Sequence, residues 1–299
     1  MDKIFITGAT GYLGQNLSSI FKRKFYIYRG FNKQKIIKSN EIKCNLRNLD
    51  KIKNFLKLNN IKFLIHCAGI TDIELCEKNK KKCKAVNYFL TKKLVDICRY
   101  LKIKFIYISS DHLFDGKRPF KNEKEKTKPL NEYAKSKILS EEYIKKKLKN
   151  YLIIRTNFFG TSKSDIKKNF AQRIINDLKK NKRIYIFDDV YFSPISIIKL
   201  SRIICKLIWS KAKGTYNVSS DERISKHLYA LKIANKFNLD QKLIIKSSIK
   251  DKSNSKLVLR PLDMSLNNKK VKDYLNIKSI KLNDCLDIFK HDYLKYKNK

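Results

Sequence analysis

The chain has 299 residues, 42% of them hydrophobic, which is enough to bury the core of one large α/β domain, alone or with a smaller partner, and excludes a disordered protein. The formal net charge is +42, but only 11 of the 69 basic residues are Arg, the side chain favoured for bidentate contacts with phosphates and bases. Because the lysines are spread over the whole length, we do not expect nucleic acid as a partner, and the positive field favours a small anionic substrate instead.

The first strong signal is a glycine-rich turn between a predicted strand, Lys3–Thr7, and a predicted helix that ends near Phe21. Three of the chain's eight glycines stand there at three-residue intervals. Such glycines let backbone amides approach a pyrophosphate at the start of a helix, and the strand-turn-helix context favours a dinucleotide site over an ordinary βα turn. The predicted cofactor-binding residues of this turn are Gly8, Thr10, Gly11, Tyr12, Leu13 and Gly14.

A second predicted strand, Phe25–Tyr28, is followed directly by Arg29. An acidic residue at this place binds the ribose 2′-hydroxyl of NAD, whereas a basic one accommodates the 2′-phosphate of NADP. Arg29, with Lys33 and Lys35 close behind it, therefore favours NADP(H) over NAD(H), although any position of this chain has a good chance of being basic.

Strands and helices then alternate as far as residue 155. The predicted strands are Glu41–Cys44, Ile61–His66, Phe105–Ile108 and Tyr151–Arg155, and the predicted helices between them are Leu49–Leu58, Ala85–Tyr100 and the segment from Tyr133 to Leu148. This βαβ repetition predicts an α/β fold with a Rossmann-type, doubly wound parallel sheet, in which ligands bind beyond the carboxyl ends of the strands.

From Gly160 onward the predicted elements become short and interleaved. They are Asp165–Lys180, Ile195–Trp209, Ile224–Phe237, Asn267–Tyr274 and Asn283–Tyr293 as helices, with Ile184–Phe187, Thr215–Val218 and Leu243–Ile245 as strands. We therefore expect an NAD(P)-binding Rossmann domain over residues 1–160 and a smaller substrate-binding lobe over residues 161–299, with a boundary that is soft by about ten residues.

Three charged residues, Lys199, Arg202 and Lys206, interrupt the most apolar predicted helix, so we expect no membrane span. The N-terminus lacks the long apolar run of a signal peptide. Seven cysteines form no Cys-x-x-Cys pair, which predicts neither a zinc site nor a disulfide framework. We expect a cytoplasmic protein with reduced thiols, without a metal ion and without a membrane partner.

Tyr133 and Lys137 stand one helical turn apart at the start of the last helix of the Rossmann pattern. A neighbouring ammonium favours the phenolate and lowers a tyrosine pKa, as suits a proton donor in carbonyl reduction. Tyr-x-x-x-Lys occurs six times in this lysine-rich chain, so the spacing alone proves little. Only this pair begins the helix that follows the strand leading into Ser110, downstream of the glycine turn.

Several segments occur in an order typical of one superfamily. They are Gly8–Gly14, His66–Gly69, Ala85–Asn87, Ile108–Gly116, Pro129–Lys137, Arg155–Thr156, Phe192–Pro194, Gly214–Val218 and Arg260–Asp263. Together they resemble the extended short-chain dehydrogenases/reductases and, more narrowly, the dTDP-4-dehydrorhamnose reductase group. The glycine pattern and Tyr-x-x-x-Lys are common to the superfamily, whereas the Ser-Asp-x-x-Phe-Asp-Gly run at residues 110–116 is narrower.

This resemblance implies roles for the candidate catalytic residues. Tyr133 would donate a proton to the keto oxygen as hydride leaves the nicotinamide, Lys137 would lower the pKa of that tyrosine and hydrogen-bond the nicotinamide ribose, and Ser110 would orient and polarise the carbonyl. Ala68 and Gly69 would let the cofactor lie close to the end of the fourth strand.

Two positions depart from the pattern of the group. His112 stands where the group usually has Tyr, which would reshape the sugar pocket. Asn45, a candidate cofactor-binding residue, stands where an Asp usually holds the adenine, so the affinity for the cofactor and the choice between cofactors depend on a residue of another type.

The resemblance also implies a nucleotide-sugar substrate. The candidate residues for binding it are Asp111, His112, Asn169 and Arg260. Asn169 shares a predicted helix face with Asp165 and Arg173, and this face meets either a nucleotide or solvent. Arg260, beside Pro261, is a candidate contact to a diphosphate.

Four functions fit these residues. The first is an NAD(P)H-dependent reductase of a nucleotide-linked 4-keto-6-deoxy sugar, acting in deoxysugar and surface polysaccharide biosynthesis. The second is an NAD-dependent epimerase or dehydratase of the same fold, of which His112 after Asp111 disfavours the dehydratase. A non-catalytic nucleotide-binding regulatory subunit is the third, against which the intact Ser110, Tyr133 and Lys137 weigh. A nucleic-acid-binding protein is the fourth, and it rests on the charge alone. A homodimer is one possible association.

Overall fold

The computed structural model describes residues 1–31, 41–43, 48–162, 169–251, 254 and 256–297. Within it the chain divides into two units. The first unit comprises Met1–Leu113, Asn131–Arg155 and Ile204–Tyr216, and the second comprises Phe114–Leu130, Thr156–Ile203 and Asn217–Lys299. The main change of unit thus falls near residue 155. Two segments belong to the other unit than their neighbours in sequence: Phe114–Leu130 is part of the second unit and Ile204–Tyr216 is part of the first. The cofactor role of residues 1–160 and the substrate role of residues 161–299 stay predictions.

The strands form one large sheet and several small ones. They are β1 (Lys3–Thr7), β2 (Tyr26–Phe31), β3 (Glu41–Lys43), β4 (Phe63–His66), β5 (Lys104–Ile108), β6 (Tyr151–Arg155), β7 (Phe158–Phe159), β8 (Ile184–Phe187), β9 (Tyr191–Phe192), β10 (Ile195–Ser196), β11 (Gly214–Asn217), β12 (Ile224–Ser225) and β13 (Ile244–Ser247). Among the described residues, seven of them make a sheet of order β11-β6-β5-β4-β1-β2-β3, in which β1 to β6 pair in parallel. The predicted Rossmann-type parallel sheet is confirmed.

The helices of the described residues follow the predicted alternation closely. They are α1 (Tyr12–Phe21), α2 (Leu49–Leu58), α3 (Ile73–Lys78), α4 (Lys80–Lys84), α5 (Leu90–Tyr100), α6 (Glu132–Lys147), α7 (Phe170–Leu178), α8 (Ile197–Trp209), α9 (Lys226–Lys236), α10 (Lys269–Leu275) and α11 (Leu282–Lys297). In no part of the chain that is described does a helix combine the length and the apolarity that crossing a bilayer requires.

The centre of the large sheet is apolar on both faces, as parallel sheets covered by helices require. All five residues of β5 are buried. Phe5, Leu64, Phe105 and Ile153 from four neighbouring strands pack with Leu94 of α5 in one core cluster. This core fixes the carboxyl ends of β1, β4 and β5 relative to one another, where the predicted site residues lie.

One predicted helix has an irregular start. The segment predicted as a single helix from Ala85 to Tyr100 begins with a π-helical stretch, Ala85–Phe89, before α5 continues it. Asn87 is buried within this stretch. The two short helices before it, α3 and α4, were not predicted. Five lysines stand between residues 78 and 84, and the buried residues of the two helices, Cys76 and Cys83, are too few to form a helical pattern.

Helix α6 begins where its capping residue predicts. The side chain of Asn131 accepts a hydrogen bond from the backbone amide of Ala134 at 2.9 Å, which satisfies one free donor of the first turn. Glu132 lies in that turn and three lysines lie in the last one, so the charges complement the helix dipole. The cap therefore holds Tyr133 in the first turn of the helix.

The second unit is built from three two-stranded sheets, β7–β10, β8–β13 and β9–β12, among the described residues. Its core is aromatic. Phe159 packs edge-on against Tyr229 at 5.3 Å and against Phe289 at 5.6 Å between ring centroids. Residues 163–168, including Asp165, lie outside the described residues, and the described part of the helix predicted there is α7.

Candidate active site

The glycine turn closes tightly between β1 and α1. Gly8 has a φ of +64°, which favours glycine, and a Cβ added there would lie 2.8 Å from the backbone nitrogen of Ala68. A Cβ on Gly14 would lie 2.7 Å from the Cα of Ala9 and would overlap the carbonyl oxygen of Gly8. Helix α1 is preceded by Gly11, which has no side chain to cap the first amides. The turn thus has the tight backbone course that a phosphate site at the start of a helix requires.

Arg29 lies within β2, because this strand extends to Phe31 and does not end at Tyr28 as predicted. Its Nη2 atom lies 3.5 Å from the carbonyl oxygen of Ala9, so the half-buried guanidinium stands beside the glycine turn. This is the place at which a basic side chain meets a 2′-phosphate. The other predicted residues of this region, Lys33, Lys35 and Asn45, lie outside the described residues.

The loop after β4 lies against the same turn and against α6. The backbone amide of Ala68 lies 3.4 Å from the Oγ1 atom of Thr7 at the end of β1. A Cβ added to Gly69 would lie 3.9 Å from the Nζ atom of Lys137. Ala68 thus lies beside the glycine turn and Gly69 beside Lys137, and their contacts with a cofactor stay predictions.

Asn87 holds this loop in place. Its Oδ1 atom accepts a hydrogen bond from the amide of Ile70 at 2.7 Å, and its Nδ2 atom donates to the carbonyl of Ile70 at 3.0 Å and to the Oγ atom of Ser136 at 3.1 Å. The residue was predicted only as part of a family motif, not as part of the site. A buried amide on the apolar side of a predicted helix is the signal that would have found it.

The three predicted catalytic residues come together at the end of β5. Tyr133 is 7% exposed, Lys137 7% and Ser110 4%. The side chains of Tyr133 and Ser110 lie close enough to interact. The Oγ atom of Ser110 also accepts from the amide of His112 at 3.2 Å and donates to Oδ1 of Asp111 at 3.2 Å. Lys137 donates from Nζ to the carbonyl of Ile108 at 3.0 Å.

The proton affinities of this group reflect burial. Desolvation raises the pKa of Tyr133, and the interaction with Ser110 opposes this rise only in part. Desolvation lowers the pKa of Lys137 to about 8. The helical spacing predicted that Lys137 lowers the pKa of Tyr133, but the pKa of Tyr133 is raised. The ammonium points to Ile108 and lies 4.8 Å from the ring centroid of Tyr107, while the phenol is removed from water.

His66 is a packing residue, although it lies close to the lysine. Burial and then the charge of Lys137 lower the pKa of its imidazole to about 3, so it is neutral at physiological pH. Its Nδ1 atom lies 2.7 Å from Oγ1 of Thr7 and its Nε2 atom 3.1 Å from Oγ1 of Thr91. Both ring nitrogens thus connect β4 with neighbouring elements.

The predicted substrate residues divide between the two units. Asp111 is buried beside Ser110, and the ring of His112 lies edge-on to the ring of Tyr133 with 6.0 Å between centroids. Asn169 caps α7: its Oδ1 atom accepts from the amide of Gln172 at 3.2 Å, and its Nδ2 atom donates to the carbonyl of Gly160 at 2.7 Å. Its side chain is therefore explained by the local fold. Arg260 is half-buried in the second unit.

Known proteins resemble this chain over most of its length. The structure is similar to dTDP-4-dehydrorhamnose reductase from Bacillus anthracis in complex with NADP, with a TM-score of 0.86, 24% identity, and coverage of 96% of this chain and 98% of that one. A probable low-salt glycan biosynthesis reductase of Haloferax volcanii is 24% identical over 83% of this chain and 84% of its own length. Methionine adenosyltransferase 2 subunit beta of Danio rerio is 23% identical over 81% and 76%.

The family assignment rests on a match over nearly the whole chain. Residues 2–291 match the model of one family, whose description is RmlD substrate binding domain. The match covers both units and includes every predicted site residue, so the predicted resemblance is confirmed at the level of the family. The chain belongs to the RmlD substrate binding domain family.

Proposed function

We propose that the protein is an NAD(P)H-dependent reductase of a nucleotide-linked 4-keto-6-deoxy sugar, in the manner of the dTDP-4-dehydrorhamnose reductases. One observation carries the proposal. The buried side chains of Tyr133 and Ser110 interact at the end of β5, with Lys137 on the next turn of the helix that carries Tyr133 and Gly69 of the β4 loop beside that lysine. A phenol, a hydroxyl and an ammonium in this order suit the protonation of a carbonyl oxygen.

Each residue then has a task that its position supports. Bound nicotinamide supplies the hydride, and Gly8, Gly11 and Gly14 would hold its pyrophosphate on the first amides of α1. Tyr133 would protonate the keto oxygen, and Ser110 would hold that oxygen by a second hydrogen bond. Because the phenol pKa is raised by burial, the hydroxyl stays protonated until an oxyanion develops beside it.

Similarity alone leaves several functions in view, since at nearly the same identity one relative is a reductase, another a subunit of methionine adenosyltransferase and a third a dTDP-D-glucose 4,6-dehydratase. A nucleotide-binding subunit needs the glycine turn, but it has no need of a buried phenol and hydroxyl aligned at the end of β5. We therefore place the reductase first and the regulatory subunit second. An epimerase would use the same three residues and would return the hydride to the sugar.

The deciding assay follows reduced nicotinamide by absorbance while purified protein is mixed with NADPH and dTDP-4-dehydrorhamnose. We expect consumption that depends on both compounds. NADH and other 4-keto nucleotide sugars form parallel arms, because the residues named above do not select the sugar. If no arm consumes reduced cofactor, the reductase proposal is wrong. Interconversion of two sugar epimers without net consumption would identify the epimerase.

Arg29 offers a test of cofactor choice. We propose NADP(H) as the preferred cofactor, because this guanidinium stands beside the glycine turn. Arg29→Ala should weaken NADPH binding about 10- to 100-fold, the loss expected for one charge-assisted hydrogen bond, and leave NADH binding nearly unchanged. Titration calorimetry with each cofactor measures this. Arg99→Ala, at an exposed position of α5, is the matched control. An equal loss for both cofactors would show that Arg29 does not read the 2′-phosphate.

A further inference from the structure

Two side chains of α6 form hydrogen bonds at the end of β5. Lys137 donates to the carbonyl of Ile108 at 3.0 Å, and Glu141, one turn further, accepts at Oε1 from the Oγ atom of Ser109 at 2.6 Å. Ile108 and Ser109 directly precede Ser110. The helix that carries Tyr133 is therefore held to the strand end that carries its hydroxyl partner by a lysine and a carboxylate on one helix face.

The carboxylate of Glu141 is a charge inside the protein. Glu141 is 2% exposed and its partner Arg155, at the end of β6, is 1% exposed. Arg155 donates from Nη2 to Oε2 at 2.7 Å and from Nε to Oε1 at 3.0 Å, and Lys145 lies 3.4 Å from Oε2 at the rim. Burial alone would raise the pKa of Glu141, yet these hydrogen bonds and charges hold it below its ordinary value. The group is ionised at neutral pH.

The surroundings of Lys137 contain little else that is negative. The titratable groups that face it are Tyr133 and Glu141 on its own helix, His66 and Cys67 at the end of β4, Cys76 and Cys83 on α3 and α4, and Tyr107 on β5. His66 is neutral, and thiols and phenols are uncharged near pH 7 unless something depresses their pKa. Of these groups Glu141 is the one that carries a negative charge.

We propose that Glu141 is a positioning residue that keeps Lys137 cationic and holds Ser110 in register with Tyr133, acting through the lysine and through Ser109 without touching substrate. The hydrogen bonds of Glu141 do not depend on the activity, whereas the effect of Glu141 on turnover rests on the proposed reductase function. Arg155 keeps the carboxylate ionised, so the two buried residues act as one unit beneath the catalytic group.

The test measures the protonation of Lys137 directly. Competitive acetylation with acetic anhydride across a pH series, resolved by peptide mass spectrometry, gives the midpoint at which this amine becomes reactive, without substrate or cofactor. The parent should titrate near a pH of 8. In Glu141→Gln/Arg155→Met, which removes both charges and leaves no buried ion unpaired, the midpoint should fall by about one pH unit, a roughly tenfold change in the deprotonated fraction.

Two further variants keep the inference falsifiable. Glu142→Gln removes the neighbouring, exposed carboxylate of the same helix and should leave the midpoint where it is. Glu141→Asp keeps the charge and should follow the parent, also if the double variant does not fold. The inference would be overturned by a midpoint that is unchanged in the folded double variant, or by one that falls as far in Glu141→Asp as in the double variant.

Turnover separates this inference from the proposed function. Lys137 must be protonated to act, so the rate should be lost as pH rises through its pKa, and in the double variant this alkaline limb of kcat should move down together with the acetylation midpoint. A purely structural role of Glu141 would lower kcat at all pH values without moving the limb. If the midpoint shifts as expected and no variant or parent reduces any sugar, the proposed function fails while the electrostatic role stands.

Discussion

Tyr133→Phe is expected to lower kcat roughly 10³-fold, the middle of the range for losing a positioned general acid, and to leave NADPH binding and the melting temperature nearly unchanged. Phenylalanine keeps the ring that packs with Cys76, Cys83, Ile70 and Ile73. Only the hydroxyl is lost, and Ser110, which stays, cannot supply a proton to a carbonyl oxygen as readily as a phenol. Steady-state rates, calorimetric titration with NADPH and a thermal melt measure the three quantities.

The matched control is Tyr143→Phe. Tyr143 lies on the same helix, has a lysine four residues later, and hydrogen-bonds to Asp96 at an exposed position at 2.7 Å. It shares the sequence pattern and lacks the surroundings, so its variant should keep full turnover. Activity retained in Tyr133→Phe, or lost equally in Tyr143→Phe, would mean that the acid has been assigned to the wrong residue.

The contrast between Tyr133 and Tyr143 shows what the sequence can and cannot predict at this site. Spacing offered six equivalent pairs, and the position of Tyr133 in the βα order selected one, because the carboxyl ends of parallel strands meet at one edge of a sheet. The same order predicted the sheet. The rise in the pKa of Tyr133 was not predicted, because it depends on how deeply the phenol is buried and on the hydrogen bond of Lys137 to the Ile108 carbonyl.

Other features escaped because they depend on distant parts of the chain. Asn87 lies in a π-helical stretch, and its hydrogen bond with Ile70 joins two segments that are 17 residues apart. Asn169, predicted as a substrate residue from its helix face, caps α7 in the structure, and its contact with a substrate stays a prediction. Residues 114–130 belong to the second unit because of tertiary contacts, which the composition of the segment does not predict.

Gly14→Ala is expected to destabilise the protein by about 2 kcal/mol and to weaken NADPH binding about 100-fold. Helix propensity predicts the opposite sign for stability, because Ala is better than Gly inside a helix by about 1 kcal/mol. The clash decides the sign here. The new Cβ would overlap the carbonyl of Gly8 and lie 2.7 Å from the Cα of Ala9, and both are backbone atoms that cannot swing aside. The turn must open, which displaces the amides that would hold the pyrophosphate.

Ser19→Ala, at an exposed position of the same helix, separates the two effects. It should gain a few tenths of a kcal/mol from helix propensity and bind NADPH like the parent. Chemical denaturation and calorimetric titration, run on both variants, measure stability and affinity. If Gly14→Ala proves as stable as Ser19→Ala, the close approach of α1 to the glycine turn is not a constraint. If it is destabilised but binds NADPH normally, the turn is structural and the cofactor phosphates lie elsewhere.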